Sequence, residues 1–179
     1  RAGRVINSVH DFVRRRDQAR EAVAPQALLD AIFPLVNLQA RKLHVRVHIR
    51  VESRLPAVWC DRTMVEQVLL NLARNGMQAM DRPECTGRVL VLQAKRAASN
   101  AEQSWVELSV TDVGTGIAPE VAEQLFTPFF TTKAEGMGLG LSLCRTVIEQ
   151  HGGQLEFDSP WPEGSAVGCR FRFTLAAVQ

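Results

Sequence analysis

Apolar positions along the chain follow two periods. Val5, Ile6, Val9, Phe12 and Val13 recur at i, i+1, i+4, i+7 and i+8, the stripe of an amphipathic helix over Arg4 to Arg20 whose remaining positions are strongly basic. Such a helix needs a partner face. Pro25 predicts a break, so a hinge is expected between about Arg20 and Pro25. A helical stretch from Gln26 to about Ala40 comes next. The alternation Val45, Val47, Ile49, Val51 has period two and predicts a half-buried strand, followed by a short apolar segment from Ala57 to Trp59. Asp61 is placed to cap a helix running to about Met80, and strands are expected over Arg88 to Ala94 and Trp105 to Thr111. A loop-rich region from Val113 to Gly138 holds one short helix near Glu120 to Leu125. Leu139 to Gln150 reads as a helix stopped by His151-Gly152-Gly153, and strands over Gln154 to Asp158 and Gly168 to Leu175 complete the chain. Helices interleaved with largely antiparallel strands predict an α+β fold, a two-layer α/β sandwich.

At 179 residues and 46% hydrophobic composition, the chain suffices for one main domain and an appendage. The expected division is an N-terminal helix over residues 1–24 and a globular domain over 25–179. A net charge of +2 gives no large single-sign field, so neither nucleic acid nor an anionic membrane surface is implied. The four cysteines, Cys60, Cys85, Cys144 and Cys169, form no C-x-x-C pair and fit reduced packing residues in a cytosolic protein. No apolar run reaches the ~18 residues that a membrane span needs, and no signal peptide is present. Because the chain begins at Arg1, it is expected to be a fragment of a longer protein, with any membrane segment upstream.

Three ordered blocks carry chemistry. Gln67, Asn71, Asn75 and Gln78 share one polar stripe of the expected helix, beside an apolar face of Val65, Val68, Leu69, Leu72 and Ala79. The stripe is either a solvated face or an oxygen donor to Mg²⁺, which takes one or two protein oxygens together with water and phosphate. Asp112 ends a strand and is followed by Gly114 and Gly116. It is either a solvated acid in a tight turn or an acceptor for the exocyclic amino group of adenine. Gly136, Gly138 and Gly140 lead into a helix whose N-terminal amides suit phosphate. The G-x-x-x-x-G-K-[ST] and G-x-G-x-x-G patterns are both absent. Between the last two blocks, Leu125 to Lys133 is either a surface loop with an aromatic plug or a lid hinged on packed rings, with Lys133 in reach of phosphate.

On these residues the chain resembles the ATP-binding domain of bacterial sensor histidine kinases, members of the GHKL (Bergerat fold) superfamily. Glu66 to Met80 is similar to the N box and Asp112-x-Gly114-x-Gly116 to the G1 box. Phe126-Thr-Pro-Phe129-Phe130-Thr-Thr-Lys133 is similar to the F box, and Gly136 to Leu141 to the G2 box. The short spacing between the last two resembles the nitrogen-regulation and oxygen- or dicarboxylate-sensing branch. The resemblance implies ATP and Mg²⁺ as cofactors. It implies that Asn75 coordinates the metal, Asn71 supports the phosphate side and Asp112 reads adenine. Gly114, Gly116, Phe129, Thr132, Lys133, Gly136, Gly138, Leu139 and Gly140 would complete the nucleotide site. Two departures stand out: Gln78 where many relatives carry lysine, and Gly76 where alanine is usual.

Hydrolytic members of the superfamily carry a glutamate one turn before the magnesium asparagine, where this chain has Asn71. An amide cannot accept a proton at neutral pH, and Glu66 lies about 100° off the polar stripe. The resemblance therefore implies a kinase that transfers the γ-phosphoryl group to a histidine, with a response regulator receiver domain downstream and homodimerisation in the full-length protein. A hydrolytic ATPase switch and a nucleotide-binding scaffold are the alternatives. His10-Asp11-Phe12 looks like an acceptor motif but has Arg15 where the motif has proline, and it lies too close to the N box for a second hairpin helix. Residues 1–20 are expected to be that second helix, with the acceptor upstream. His44, His48 and His151 read as surface or packing residues, and Arg14 to Arg16 as a solvated basic face.

Overall fold

A computed structural model describes residues 19–127 and 140–178. The apolar stripe of residues 5–13, with His10 and the arginines at 14–16, lies outside the described residues.

The first described element is not a hinge. Strand β1 (Glu21–Val23) pairs antiparallel with β3 (Val58–Cys60), Ala22 opposite Trp59. Residues 21–23 therefore belong to the folded module, and the break expected between Arg20 and Pro25 is a paired strand with Val23 buried. Three residues are too few to show a period, so local pattern could not announce it. Helix α1 (Pro25–Lys42) starts on Pro25 at its first turn, where a missing N–H costs nothing, and it continues through Pro34. Its buried stripe is Leu28, Leu29, Ile32, Val36 and Ala40.

Strands β2 (Arg46–Val51), β4 (Val89–Arg96), β5 (Trp105–Asp112), β6 (Leu155–Asp158) and β7 (Cys169–Ala176) form one sheet in the order β2-β4-β5-β7-β6. The β2–β4 pair is parallel and the others are antiparallel. Alternate residues Leu90, Leu92 and Ala94, then Val106, Leu108 and Val110, then Phe171, Phe173 and Leu175 are buried, in register with one another. That face carries helices α1, α2 (Arg62–Met80) and α4 (Gly140–Gln150), giving the expected two-layer sandwich. The other face is polar, tied by ion pairs such as Arg170 and Arg172 to Asp158.

Helix α2 is capped as its sequence predicts, for the Asp61 carboxylate accepts the Met64 N–H at 3.2 Å. Val65, Val68, Leu69 and Leu72 fill the space between sheet and helices, each contributing roughly 1.5–3 kcal/mol of burial. Helix α4 ends in a Schellman motif: Gly153 N–H donates to Ile148 O and Gly152 N–H to Glu149 O, with Gly152 at φ 79°. The short helix α3 (Pro119–Ala122) lies within the expected loop-rich region.

Candidate nucleotide site

Two helices bring polar groups to one end of the sandwich. Asn71 and Asn75 are half-buried on α2 while Gln67 and Gln78 are exposed, so the four-amide stripe divides into an inner pair and an outer pair. Gly140 opens α4 beside Asn71, whose Oδ1 lies 3.8 Å from where a Cβ on that glycine would stand. Burial pushes the Cys144 thiol, one turn into α4, up to about 12. Gln78 instead lines a groove of about 520 Å³ between α1 and α2 with Leu35, Leu38 and Arg74. Glu66 is held by Arg62 at 2.9 Å along the same helix.

Asp112 has the same parity on β5 as Val106, Leu108 and Val110, so its carboxylate points to the helix side of the sheet and is only 4% exposed. Its Oδ1 accepts the Gly114 N–H at 2.8 Å. Burial holds the carboxyl at about 6, well above its ordinary range, and the Gly114 bond offsets part of that rise. Oδ2 lies 3.4 Å from the position of a Cβ at Gly76, whose other neighbour would be Leu90 Cδ1 at 2.9 Å. Gly76 is therefore the point where α2 passes closest to the acid, a role that reading it as a soft spot in a helix does not reveal. Gly114 is fixed by contact too: a Cβ there would stand 2.7 Å from the Ala79 carbonyl oxygen. Gly116, at φ 79°, takes a conformation that other residues avoid. Ser159 Oγ accepts the Ile117 N–H and donates to Gly168 O, tying this turn to β6 and β7.

Phe126, where the aromatic segment begins, sits 6.1 Å from Phe157 between ring centroids, and Phe157 sits 5.9 Å from Phe171. The Arg145 guanidinium lies over the Phe126 ring at 5.2 Å. The upstream end of the segment is thus fixed to β6, β7 and α4. Phe129, Thr132, Lys133, Gly136, Gly138 and Leu139 lie outside the described residues.

Of the histidines, His44 and His48 are exposed, whereas His151 is buried. Its Nε2 accepts the Asp61 N–H at 3.0 Å. That bond requires an unprotonated Nε2, so the proton rests on Nδ1 and is donated to Val147 O at 2.7 Å. His151 thereby joins the C-terminus of α4 to the N-terminus of α2.

An acid at the inner end of a central strand, a glycine turn against α2, paired asparagines and a helix N-terminus thus converge on one edge of the sandwich. Residues 60–179 match the family described as histidine kinase-, DNA gyrase B- and HSP90-like ATPases. The chain belongs to that family. Its GHKL domain is similar to the C4-dicarboxylate transport sensor protein DctS of Rhodobacter capsulatus, 41% identical over 87% of this chain and 23% of the relative. It is also similar to the sensor protein FixL of Bradyrhizobium diazoefficiens, 36% identical over 99% of this chain and 33% of that protein. The chain thus spans a quarter to a third of the length of these sensor proteins. The solved catalytic domain of histidine kinase ThkA shares the fold at a TM-score of 0.73 and 28% identity, covering 88% of this chain and 95% of that one.

The His151 link was not legible beforehand, for it joins the start of α2 to the end of α4 across 90 positions of sequence, and no local period records such a pairing.

Proposed function

We propose that this domain binds Mg-ATP at the edge formed by α2, the turn after β5 and the start of α4, and presents the γ-phosphoryl group to a histidine outside the residues described. The observation that carries the reading is Asp112: one carboxylate oxygen is fixed by Gly114 while the other lies against Gly76 of α2. That free oxygen is suited to accept the adenine amino group. Gly114 and Gly116 let the backbone approach the base. The described start of α4 at Gly140 lies beside Asn71, and helix N-terminal N–H groups suit phosphate, with Gly136, Gly138, Leu139 and Lys133 assigned to the same task and Phe129 and Thr132 to the lid.

The residues present fit Mg²⁺. Carboxamide oxygens on α2 suit an ion that keeps most of its water and phosphate ligands. Asn75 would hold it, with Asn71 on the phosphate side. Bound there, the ion would neutralise charge on the β- and γ-phosphates.

Transfer fits better than hydrolysis. Asn71 has no basicity for drawing a proton from water, and Glu66 is engaged by Arg62. The domain's contribution is to orient ATP so that an imidazole nitrogen forms its bond to Pγ as the bond from Pγ to the bridging oxygen breaks and ADP leaves. The whole protein would then act as a dimeric sensor kinase and relay the phosphoryl group to a response regulator receiver domain. The solved complex of histidine kinase ThkA with the response regulator TrrA supports that partner class through its shared fold, at a TM-score of 0.69. ATP as substrate puts the domain on the cytoplasmic side, and no helix among the described residues is long and apolar enough to cross a membrane.

Labelled ATP supplied to the full-length protein tests the reading. Acid-labile, base-stable phosphoprotein that Asp112→Asn abolishes is the expected result. Sustained phosphate release without phosphoprotein would favour the hydrolytic switch.

A further inference from the structure

Arg88, the residue before β4, directs its guanidinium at backbone. Nη1 donates to the carbonyl of Leu43, the C-cap of α1, at 2.7 Å. Nη2 donates to Arg82 O, past the end of α2, at 2.9 Å, and Nε to Cys85 O at 3.1 Å. The side chain is 17% exposed, and the Asp81 carboxylate stands 3.8 Å away. Three carbonyls from separate places in the chain are thus gathered on one planar fork, an arrangement that lysine, a point donor, cannot copy in full. Arg82 O also accepts the Cys85 N–H at 3.0 Å, so residues 82–88 close as a loop around the guanidinium.

The loop presents the Cys85 thiol, whose Sγ donates to Val113 O at 3.7 Å. That carbonyl and the Gly114 N–H belong to one peptide unit, which is planar and rigid. The Gly114 N–H is in turn the group that fixes Asp112 Oδ1 at 2.8 Å. One peptide is therefore held on its carbonyl side by the loop and holds the acid on its N–H side. A thiol is a weak donor, so its alignment depends on how firmly the loop is folded, and that is set by the three bonds from Arg88.

We infer that Arg88 is a positioning residue for base recognition: by folding residues 82–88 it sets Cys85 against the Val113 carbonyl and so orients the peptide whose N–H aims the Asp112 carboxylate. This rests on the proposed nucleotide site. Neither Arg88 nor Cys85 touches the ligand or takes part in any bond-making step.

Calorimetric titration with adenosine, and with ATP with and without Mg²⁺, tests it in wild type, Arg88→Met, Arg88→Lys, Cys85→Ala and the double variant of Arg88→Met and Cys85→Ala. Arg88→Met should weaken adenosine and ATP alike by about 3- to 10-fold, the range of one hydrogen bond, while the gain in ATP affinity conferred by Mg²⁺ stays as in wild type. Cys85→Ala should lose about 2- to 5-fold and Arg88→Lys less than Arg88→Met. The double variant should lose no more than Arg88→Met alone, because both residues act through one peptide. The pH midpoint for adenosine binding should rise above the wild-type value of about 6 in Arg88→Met and Cys85→Ala, since the Gly114 bond that favours the charged carboxylate is loosened. Arg88→Lys and Cys85→Ala carry the same test should Arg88→Met fail to fold. Unchanged adenosine affinity and pH midpoint in these variants would overturn the inference, and so would losses that simply add in the double variant, since Arg88 would then only stabilise the fold. Wild type failing to bind adenosine would instead overturn the nucleotide site itself.

Discussion

Asp112 answers to two opposed demands. A charged acceptor holds the adenine amino group more strongly than a neutral one, yet burial holds this carboxyl at about 6, against 3.8 for the free group. The folded protein therefore holds the proton more tightly than the unfolded chain, so this group adds stability below 3.8 that is lost as pH rises through about 6. At pH 7 the ionised form is a standing cost. Asp112→Asn should raise stability by on the order of 1–3 kcal/mol at pH 7 and by little near pH 4, checked by urea unfolding at both values. A variant no more stable at pH 7 would show the carboxylate to be well solvated. For the same reason adenosine affinity in the wild type should fall as pH is lowered through about 6, followed by titration across that range. The glycines nearby differ in what they tolerate. Gly114→Ala meets the Ala79 carbonyl, rigid backbone, at 2.7 Å and should cost about 1–3 kcal/mol. Gly76→Ala meets the movable end of Leu90, and its gain in helix propensity of up to ~1 kcal/mol offsets the crowding. Thermal melts should place Gly114→Ala well below Gly76→Ala.

At the scale of elements, α2 and α4 form the frame of the site and meet at two places: Asn71 beside Gly140 near the candidate phosphate side, and His151 joined to the Asp61 N–H at the far side. Removing the second joint leaves a buried N–H without its acceptor. His151→Ala should therefore destabilise the domain by roughly 1–3 kcal/mol and speed hydrogen exchange at the Asp61 amide ahead of the β5–β7 ladder. Uniform loss of protection across the domain would argue instead for general loosening. What could be read in advance also sorts by element. The asparagines of α2, the Asp61 cap and the end of β5 at Asp112 are legible in local pattern and capping chemistry, and the structure reproduces them. Strand β1 escaped because three residues carry no period, and its partner at 58–60 is distant in sequence. Ser159, Gly76 and His151 escaped for a related reason: each matters through what the fold brings against it. His151, one of three histidines read together as surface or packing residues, proved to be the buried one.

At the scale of the molecule, a sheet polar on one face and buried on the other carries three helices, and the candidate site sits at their margin, where Asp112, Asn71 and Gly140 converge. Binding chemistry is thus placed beside the core without interrupting it, and β1 pairs with β3 next to the helix cap at Asp61. The measurement that bears most directly on the central claim is calorimetric titration of ATP and ADP, with and without Mg²⁺, into the wild-type chain and Asp112→Asn. Saturable binding, selective for adenine over guanine nucleotides, strengthened by Mg²⁺ for ATP and lost in the folded variant, is the predicted result. Equal affinity in the two proteins would contradict it, since Asp112 would then not be the group that reads the base.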